Sequence, residues 1–165
     1  MTADIILQAL KNRHWEDVFI PECKTGPTWF NHNLRKFDAW VMTRSWVNLR
    51  MIGYEIKVSR NDFKQDKKWR EYLPYCHQLY FICPWGLIQP EEINGEAGLC
   101  WLSKNGKRIY IKKHVLQRDI EIPVELLIHV VMSRTVVMRP QELVRLRYQN
   151  KRLKDRVAEI EGGER

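Results

Sequence analysis

The chain has 165 residues, of which 44% are hydrophobic and 29% are charged, so it can bury the core of one globular domain. Its formal net charge of +8 indicates an anionic partner, and nucleic acid fits this charge better than a membrane surface does. No apolar run approaches the roughly 20 residues of a membrane-spanning helix. The N-terminus lacks the pattern of a secretory signal, so we expect a cytoplasmic protein without a membrane partner.

Apolar side chains at helical and at alternating spacing predict the elements of the first half of the chain. Pro21 confines the first predicted strand to a sheet edge, because proline cannot donate a ladder hydrogen bond. Ser59 and Asp62 have the spacing of a helix N-cap and its partner, so a helix should begin there. The predicted elements are a helix at residues 2–14, strands at 17–23, 36–42 and 49–58, and a helix from Ser59 through residue 73.

The second half of the chain continues as strands and then becomes helical. Asn105-Gly106, between two alternating runs, is a strong hairpin signal. The predicted strands lie at residues 77–83, 97–103 and 108–114, and helices at 124–135 and from about Gln141 onwards. This order predicts an α/β fold with a central mixed β-sheet flanked by helices, and a C-terminal helical extension. We expect the main domain at residues 1–122 and the extension at residues 123–165.

Three charged residues on neighbouring predicted strands indicate a site. Glu55 and Lys57 lie two apart on one face of a strand, and a hairpin would bring Asp38 of the preceding strand beside Glu55. Two carboxylates supply the oxygen ligands that magnesium and manganese prefer. A lysine can orient or help deprotonate the attacking water, or stabilise developing negative charge. The alternative is an ordinary ion pair between Glu55 and Lys57, worth under ~1 kcal/mol.

An aspartate, then Glu-x-Lys on the next strand and a helix after it, resembles the PD-(D/E)XK nuclease superfamily. The similarity continues beyond Lys57 in the manner of the MmcB-like branch, which is associated with DNA repair, and covers roughly residues 5–115. It implies a restriction-endonuclease-like fold with the site at one edge of the sheet. The further positions that carry the resemblance are Ser59, Asp62, Phe63, Asp66, Lys68, Trp69, Tyr72, Tyr75, Cys76, Tyr80, Phe81 and Gly98.

The resemblance also implies roles for single residues. The implied catalytic residues are Asp38, Glu55 and Lys57. The implied ligands of Mg²⁺ or Mn²⁺ are Asp38, Glu55, the backbone carbonyl of Ile56 and, upstream, Glu22. A second Pro-Glu-x-Lys string, at residues 21–24, lacks a well-placed upstream strand aspartate and is followed by a Gly-Pro loop, so we prefer Glu55 and Lys57.

Basic residues near the site and in the tail are candidate DNA contacts. Arg44 and Arg50 flank Trp46 between two predicted strands, and Lys68 follows the site on the predicted helix. A basic stripe in the tail contains Arg145, Arg147, Lys151 and Arg152. The tail also has a heptad seam of Leu143, Leu146, Asn150, Leu153, Val157 and Ile160. This seam predicts either packing on its own domain or a homodimer through residues 141–160.

Other aromatic and sulfur-containing residues favour structural roles. Trp69, Tyr72 and Tyr75 have a spacing more typical of packing than of base stacking. The four cysteines lack the close pairs of a zinc site, which favours reduced, buried thiols.

These observations together predict a metal-dependent DNA endonuclease acting in DNA repair, recombination or phage DNA processing. The alternative is a non-catalytic module that keeps the fold and binds DNA or a protein partner.

Overall fold

The computed structural model describes residues 1–27 and 34–134, and further along residues 145, 148–153, 155 and 156. The chain divides into two compact units, Met1–Ser133 and Arg134–Arg165. The described residues of the second unit are helical. The proposed boundary after residue 122 stays a prediction, and the helix that follows it belongs almost entirely to the first unit.

A six-stranded mixed sheet forms the centre of the first unit, and its strand order follows the chain. The two pairs formed by β3 with β4 and by β4 with β5 are parallel, and the other three pairs are antiparallel. This confirms the predicted α/β fold with a central mixed sheet. The strands are β1 Val18–Pro21, β2 Ala39–Met42, β3 Met51–Ile56, β4 Gln78–Pro84, β5 Gly98–Leu102 and β6 Ile109–Lys113.

Helices lie before, between and after the strands. The α-helices are α1 Ala3–Arg13, α2 Arg60–Gln65 and α3 Val124–Arg134, and two 3-10 helices span Trp69–Tyr75 and Pro90–Glu92. The predicted helix from Ser59 through residue 73 was wrong in its second half. Asp66 has an extended backbone, and its Oδ1 accepts hydrogen bonds from the N–H groups of Lys68 and Trp69. Those bonds start a new turn, so α2 ends and a 3-10 helix follows.

Both faces of the sheet are covered, and β3 contributes alternate residues to two apolar cores. Ile52, Tyr54 and Ile56 face a core that includes Ile6 and Leu10 of α1. Phe81, Leu99 and Trp101 belong to the other core, together with Leu126 of α3. Register pairs Glu55 with Phe81 and Phe81 with Leu99, so Glu55 lies on this second face. An ionisable side chain thus lies on the same face of the sheet as this apolar core.

Candidate active site

The site begins where β2 and β3 pair, and Gly53 determines how closely they pack. A Cβ atom built on Gly53 would lie 2.4 Å from Cε1 of Phe37, so the Phe37 ring occupies the space of the missing side chain. The next residue, Asp38, accepts a 2.7 Å hydrogen bond at Oδ2 from the backbone N–H of Ile56. The pairing of Ala39 with Tyr54 would, one step further, set Asp38 opposite Glu55. The hairpin therefore brings the two predicted carboxylates together.

Glu55 is a buried carboxylic acid with an unused oxygen. Its exposure is 5%, and its Oε1 has no hydrogen-bond partner among the described residues. Burial and, after it, the negative charge of Asp38 raise the pKa of Glu55 to about 8, although the positive charge of Lys57 acts against both. Burial also raises the pKa of Asp38. Both pKa values are raised because the positive charge around Asp38 and Glu55 is too small to stabilise their ionised forms.

Lys57 is held by three carboxylates and keeps its charge. Its Nζ lies 2.7 Å from Oδ2 of Asp66, 3.7 Å from Oδ1 of Asp62 and 3.8 Å from Oε2 of Glu55. Burial acts to lower the pKa of Lys57, but the hydrogen bond and charge of Asp66, with the other two carboxylates, outweigh it and raise that pKa. Lys57 is thus an ammonium group at neutral pH, fixed in position beside Glu55.

Aromatic packing explains why Asp66 reaches Lys57. Phe63 and Trp69, three residues to either side of Asp66, both pack edge-on against Phe81, at 5.5 Å and 5.8 Å between ring centroids. Phe81 is the β4 neighbour of Glu55, so the chain after α2 is anchored next to the site. The predicted packing role of Trp69 is confirmed, and Tyr72 likewise packs on Phe37 at 4.7 Å.

Asp62 and Asp66 are site residues to which sequence reasoning gave no role. Asp62 also donates its backbone N–H to Oγ of Ser59, which confirms the predicted N-cap. The spacing of Asp62 and Asp66, four residues apart directly after Glu-x-Lys, was the available signal. We call Asp38, Glu55, Asp62, Asp66 and Lys57 together the acidic cluster.

The other predicted metal ligands stay predictions. The Glu22 carboxylate lies 2.9 Å from Nζ of Lys36 in an exposed pair, and the backbone N–H of Glu22 donates to the carbonyl of Asp38. Glu22 has a positive φ of 50°, which ends β1 beside the site. In the second Pro-Glu-x-Lys string, Glu22 and Lys24 are both exposed. Lys24 forms an isolated antiparallel β-bridge with Lys36.

The donor set suits a hard cation that keeps part of its water shell. The described residues contain no group of three or more His, Cys, Asp or Glu side chains positioned for a metal. Magnesium is commonly held by one or two carboxylates plus water and substrate phosphate, and the pair Asp38 and Glu55 is compatible with that mode. The unused Oε1 of Glu55 is the observation on which this fit rests.

The predicted DNA contacts lie in different parts of the molecule. Lys68 is exposed and begins the 3-10 helix beside the acidic cluster. Arg44 and Arg50 lie between β2 and β3, at the opposite end of β3 from Glu55. In the tail, Arg145, Lys151 and Arg152 are helical and exposed. Arg147 and the seam residues Leu143, Leu146, Val157 and Ile160 lie outside the described residues, so the homodimer stays a prediction.

Comparison with known proteins gives a partial family match. A family described as "DNA repair protein MmcB-like" matches residues 41–112, which is a little under half of the chain. This stretch includes Glu55, Lys57, Asp62 and Asp66 but begins after Asp38. No curated protein matches the chain.

A solved structure shares the fold. It is a protein of unknown function from Silicibacter pomeroyi, 18% identical, with a TM-score of 0.59 over 79% of this chain and 82% of that one. This likeness supports the architecture alone. Within the residues that the structure describes, no helix combines the length and apolar character that a bilayer crossing requires.

Proposed function

We propose that the protein is a nuclease that hydrolyses phosphodiester bonds of DNA and acts in DNA repair. The observation that carries the proposal is the buried Glu55 carboxyl, with an oxygen that no described group satisfies, between Asp38 and a charged Lys57. Buried polar atoms without partners are uncommon and often mark a functional role. The partial match to a family named for DNA repair, and the net charge of +8, support DNA as the substrate.

Asp38 and Glu55 would hold a magnesium or manganese ion. Such an ion, when bound, lowers the pKa of a coordinated water and offsets negative charge on a phosphate. The charge of a cation also favours the ionised forms of both carboxylates, which burial disfavours, as does the charge of Asp38 in the case of Glu55. The Ile56 N–H already orients Asp38 through Oδ2, so Oδ1 would be the oxygen with which Asp38 holds the ion.

Lys57 serves this chemistry as a fixed positive charge. Because the surrounding carboxylates raise its pKa, it does not act as a proton acceptor at neutral pH. Its ammonium can instead stabilise negative charge that develops on a phosphate oxygen. Asp66, at 2.7 Å, is a positioning residue that aims Lys57.

The test is cleavage of supercoiled and branched DNA with Mg²⁺ or Mn²⁺, comparing wild type with Lys57→Ala. We expect Lys57→Ala to lose cleavage by at least about 100-fold, since a preorganised charge at the reacting group contributes that much. Its DNA affinity should stay within a few-fold, because one charge among many contributes little to backbone binding. Lys67→Ala, an exposed lysine in the same segment, is the matched control and should cleave as wild type does.

A non-catalytic DNA-binding module is the second candidate. The net charge of +8 favours it, because binding to the DNA backbone needs positive charge and no catalytic residue. Under that function, wild type binds DNA and cuts none of these substrates with either metal. If Lys57→Ala instead loses binding as strongly as cleavage, Lys57 is a DNA contact and its catalytic role is wrong.

A further inference from the structure

We propose that Trp85, Trp101 and Tyr110, with Lys112, form a platform that stacks the unpaired bases of single-stranded DNA beside the acidic cluster. The inference rests on the proposed function, since it names the kind of DNA that the same site would receive. We call the three rings and Lys112 the aromatic platform.

The platform consists of rings in mutual contact, two of which are exposed. Trp85 lies 5.1 Å from Trp101 and 5.4 Å from Tyr110 between ring centroids. Trp101 is buried and donates its indole N–H to the carbonyl of Ile88 at 2.8 Å, which fixes the centre of the group. Trp85 and Tyr110 are 44% and 41% exposed. Large rings held by a buried neighbour lose little entropy on binding a ligand.

Positive charge accompanies these rings. The Lys112 ammonium lies 4.8 Å from the centroid of Trp101 and 5.6 Å from that of Trp85. The pairing of β5 with β6 shifts between Leu99 and Cys100, where a bulge changes the direction of nearby side chains. Three more exposed cations, Lys104, Lys107 and Arg108, lie in the turn between β5 and β6. Stacking rings beside cations are the combination that single-strand binders use for bases and phosphates.

The strand register places the platform on the face and edge of the sheet that carry the acidic cluster. Strands β3, β4 and β5 are parallel, so the carboxyl ends that carry Glu55, Cys83 and Trp101 lie at one edge. Trp101 pairs with Cys83 of β4 on one side and with Tyr110 of β6 on the other. Two residues before Trp101, Leu99 pairs with Phe81, which in turn pairs with Glu55. Two strand spacings, about 10 Å, separate the rows of β3 and β5.

Unpaired bases fit this surface better than duplex DNA does. In a duplex the base faces are already stacked on each other, so a protein ring cannot cover them without disrupting the helix. A single strand offers every base face, and stacking one base on an aromatic side chain is worth about 1–3 kcal/mol. We therefore expect a substrate with an unpaired segment, such as a flap or a gap, in which that segment lies on the platform.

The experiment measures binding of a fluorescent oligothymidine and of a duplex of equal length, in EDTA so that no cleavage occurs. Trp85→Ala and Tyr110→Ala should each weaken oligothymidine binding about tenfold and leave duplex binding nearly unchanged. Trp85→Phe, which keeps a ring, should retain most of the affinity. Trp85→Leu keeps the apolar bulk without a ring, and serves if the alanine variant does not fold. Trp15→Ala removes a tryptophan that is 77% exposed and lies outside the platform, and should bind as wild type does.

Equal loss of single-strand and duplex affinity in the platform variants would overturn the inference, as would wild-type affinity in Trp85→Leu. The nuclease proposal fails separately. If wild type cuts no DNA yet the ring variants lose oligothymidine binding, the platform stands and the catalytic proposal does not. If wild type cuts DNA and the ring variants bind normally, only the platform is wrong.

Discussion

Tyr54 and Glu55 are consecutive residues of β3 that face opposite sides of the sheet. They differ in whether their buried polar atoms have hydrogen-bond partners. The Tyr54 hydroxyl lies 2.9 Å from Nε2 of His14, and Nδ1 of the same ring lies 2.8 Å from Oδ2 of Asp17. The other Asp17 oxygen accepts the backbone N–H of Arg44. A neutral His14 that donates through Nδ1 and accepts through Nε2 satisfies this whole chain of groups.

Glu55 is as deeply buried as Tyr54, yet its Oε1 has no partner among the described residues. The negative charge of nearby Asp38 also disfavours the ionised form of Glu55 and so raises its pKa. The Tyr54 network completes its own hydrogen bonds and so needs only the protein. The Glu55 cluster is incomplete within the protein, which is the condition expected of a group that meets a ligand. On the proposed function, the difference separates a structural polar network from a functional one between two consecutive residues.

The largest expected effect is on DNA cleavage, which should depend on Glu55 and hardly at all on Tyr54. Glu55→Gln keeps the shape but removes a metal-binding charge, so we expect cleavage with Mg²⁺ to fall at least about 100-fold. Tyr54→Phe removes a hydroxyl on the other face and should cleave within about threefold of wild type. A nicking assay on supercoiled plasmid measures both variants. Wild-type cleavage by Glu55→Gln would remove the acidic cluster from the mechanism.

The two networks should also respond to pH with opposite sign. The folded pKa of Glu55 is about 8 against an ordinary value of 4.5, so between these values the folded state binds more protons than the unfolded state. Unfolding free energy should then fall as pH rises, by at most about 1.4 kcal/mol per pH unit. Burial lowers the pKa of His14 below 6.5, so His14 makes that free energy fall as pH drops below 6.5.

Urea unfolding of the metal-free protein between pH 5 and pH 9 measures these slopes. Glu55→Gln should lack the decline caused by Glu55, so its stability relative to wild type should increase steadily between pH 5 and pH 8, because glutamine never carries the buried charge. His14→Gln should instead reduce the loss of unfolding free energy that wild type shows as pH drops below 6.5. A wild-type stability that rises from pH 6 to pH 8.5, and equally so in Glu55→Gln, would contradict the raised pKa of Glu55.

A smaller effect is expected at Gly53, which sets the spacing under the acidic cluster. The Cβ of Gly53→Ala would lie 2.4 Å and 2.9 Å from two atoms of the Phe37 ring, so the ring must move. We expect a loss of about 1–3 kcal/mol in unfolding free energy. Asp38 follows Phe37 directly, so magnesium affinity, measured by calorimetry, should fall as well. Gly95→Ala is the matched control, because nothing lies within 4 Å of its Cβ.

Most of the fold could be predicted because its signals are local. Alternating apolar residues predicted the strands, the Asn105-Gly106 pair predicted the β5–β6 hairpin, and Gly106 indeed has a φ of 72°. The early end of α2 could not be predicted, because it depends on the Asp66 side chain competing for backbone N–H groups. Sequence patterns do not distinguish a helical aspartate from one that caps the next turn.

The site was predictable in its centre and not at its margins. Asp38, Glu55 and Lys57 follow a short pattern, and the hairpin brings them together. The partner of Lys57 could not be read from the pattern, since Asp66 reaches it only through the packing of Phe63 and Trp69 on Phe81. The aromatic platform could not be predicted from sequence patterns for a similar reason. Trp85, Trp101 and Tyr110 come from separate elements and meet only through the sheet register.

The strand order of the sheet has a consequence for how the molecule folds. Every strand pairs with the strand that precedes it in the chain, so no pairing requires a distant segment to thread between strands already formed. The longest connection between neighbouring strands, from β3 to β4, contains α2 and a 3-10 helix. Loop-closure entropy grows only slowly with loop length, so this connection adds little to the cost. The whole acidic cluster lies between residues 38 and 66, from the residue that precedes β2 to the segment that follows β3. Its residues therefore come together through neighbouring closures of the chain, and the edge strands β1 and β6 can join the sheet later without changing which groups meet.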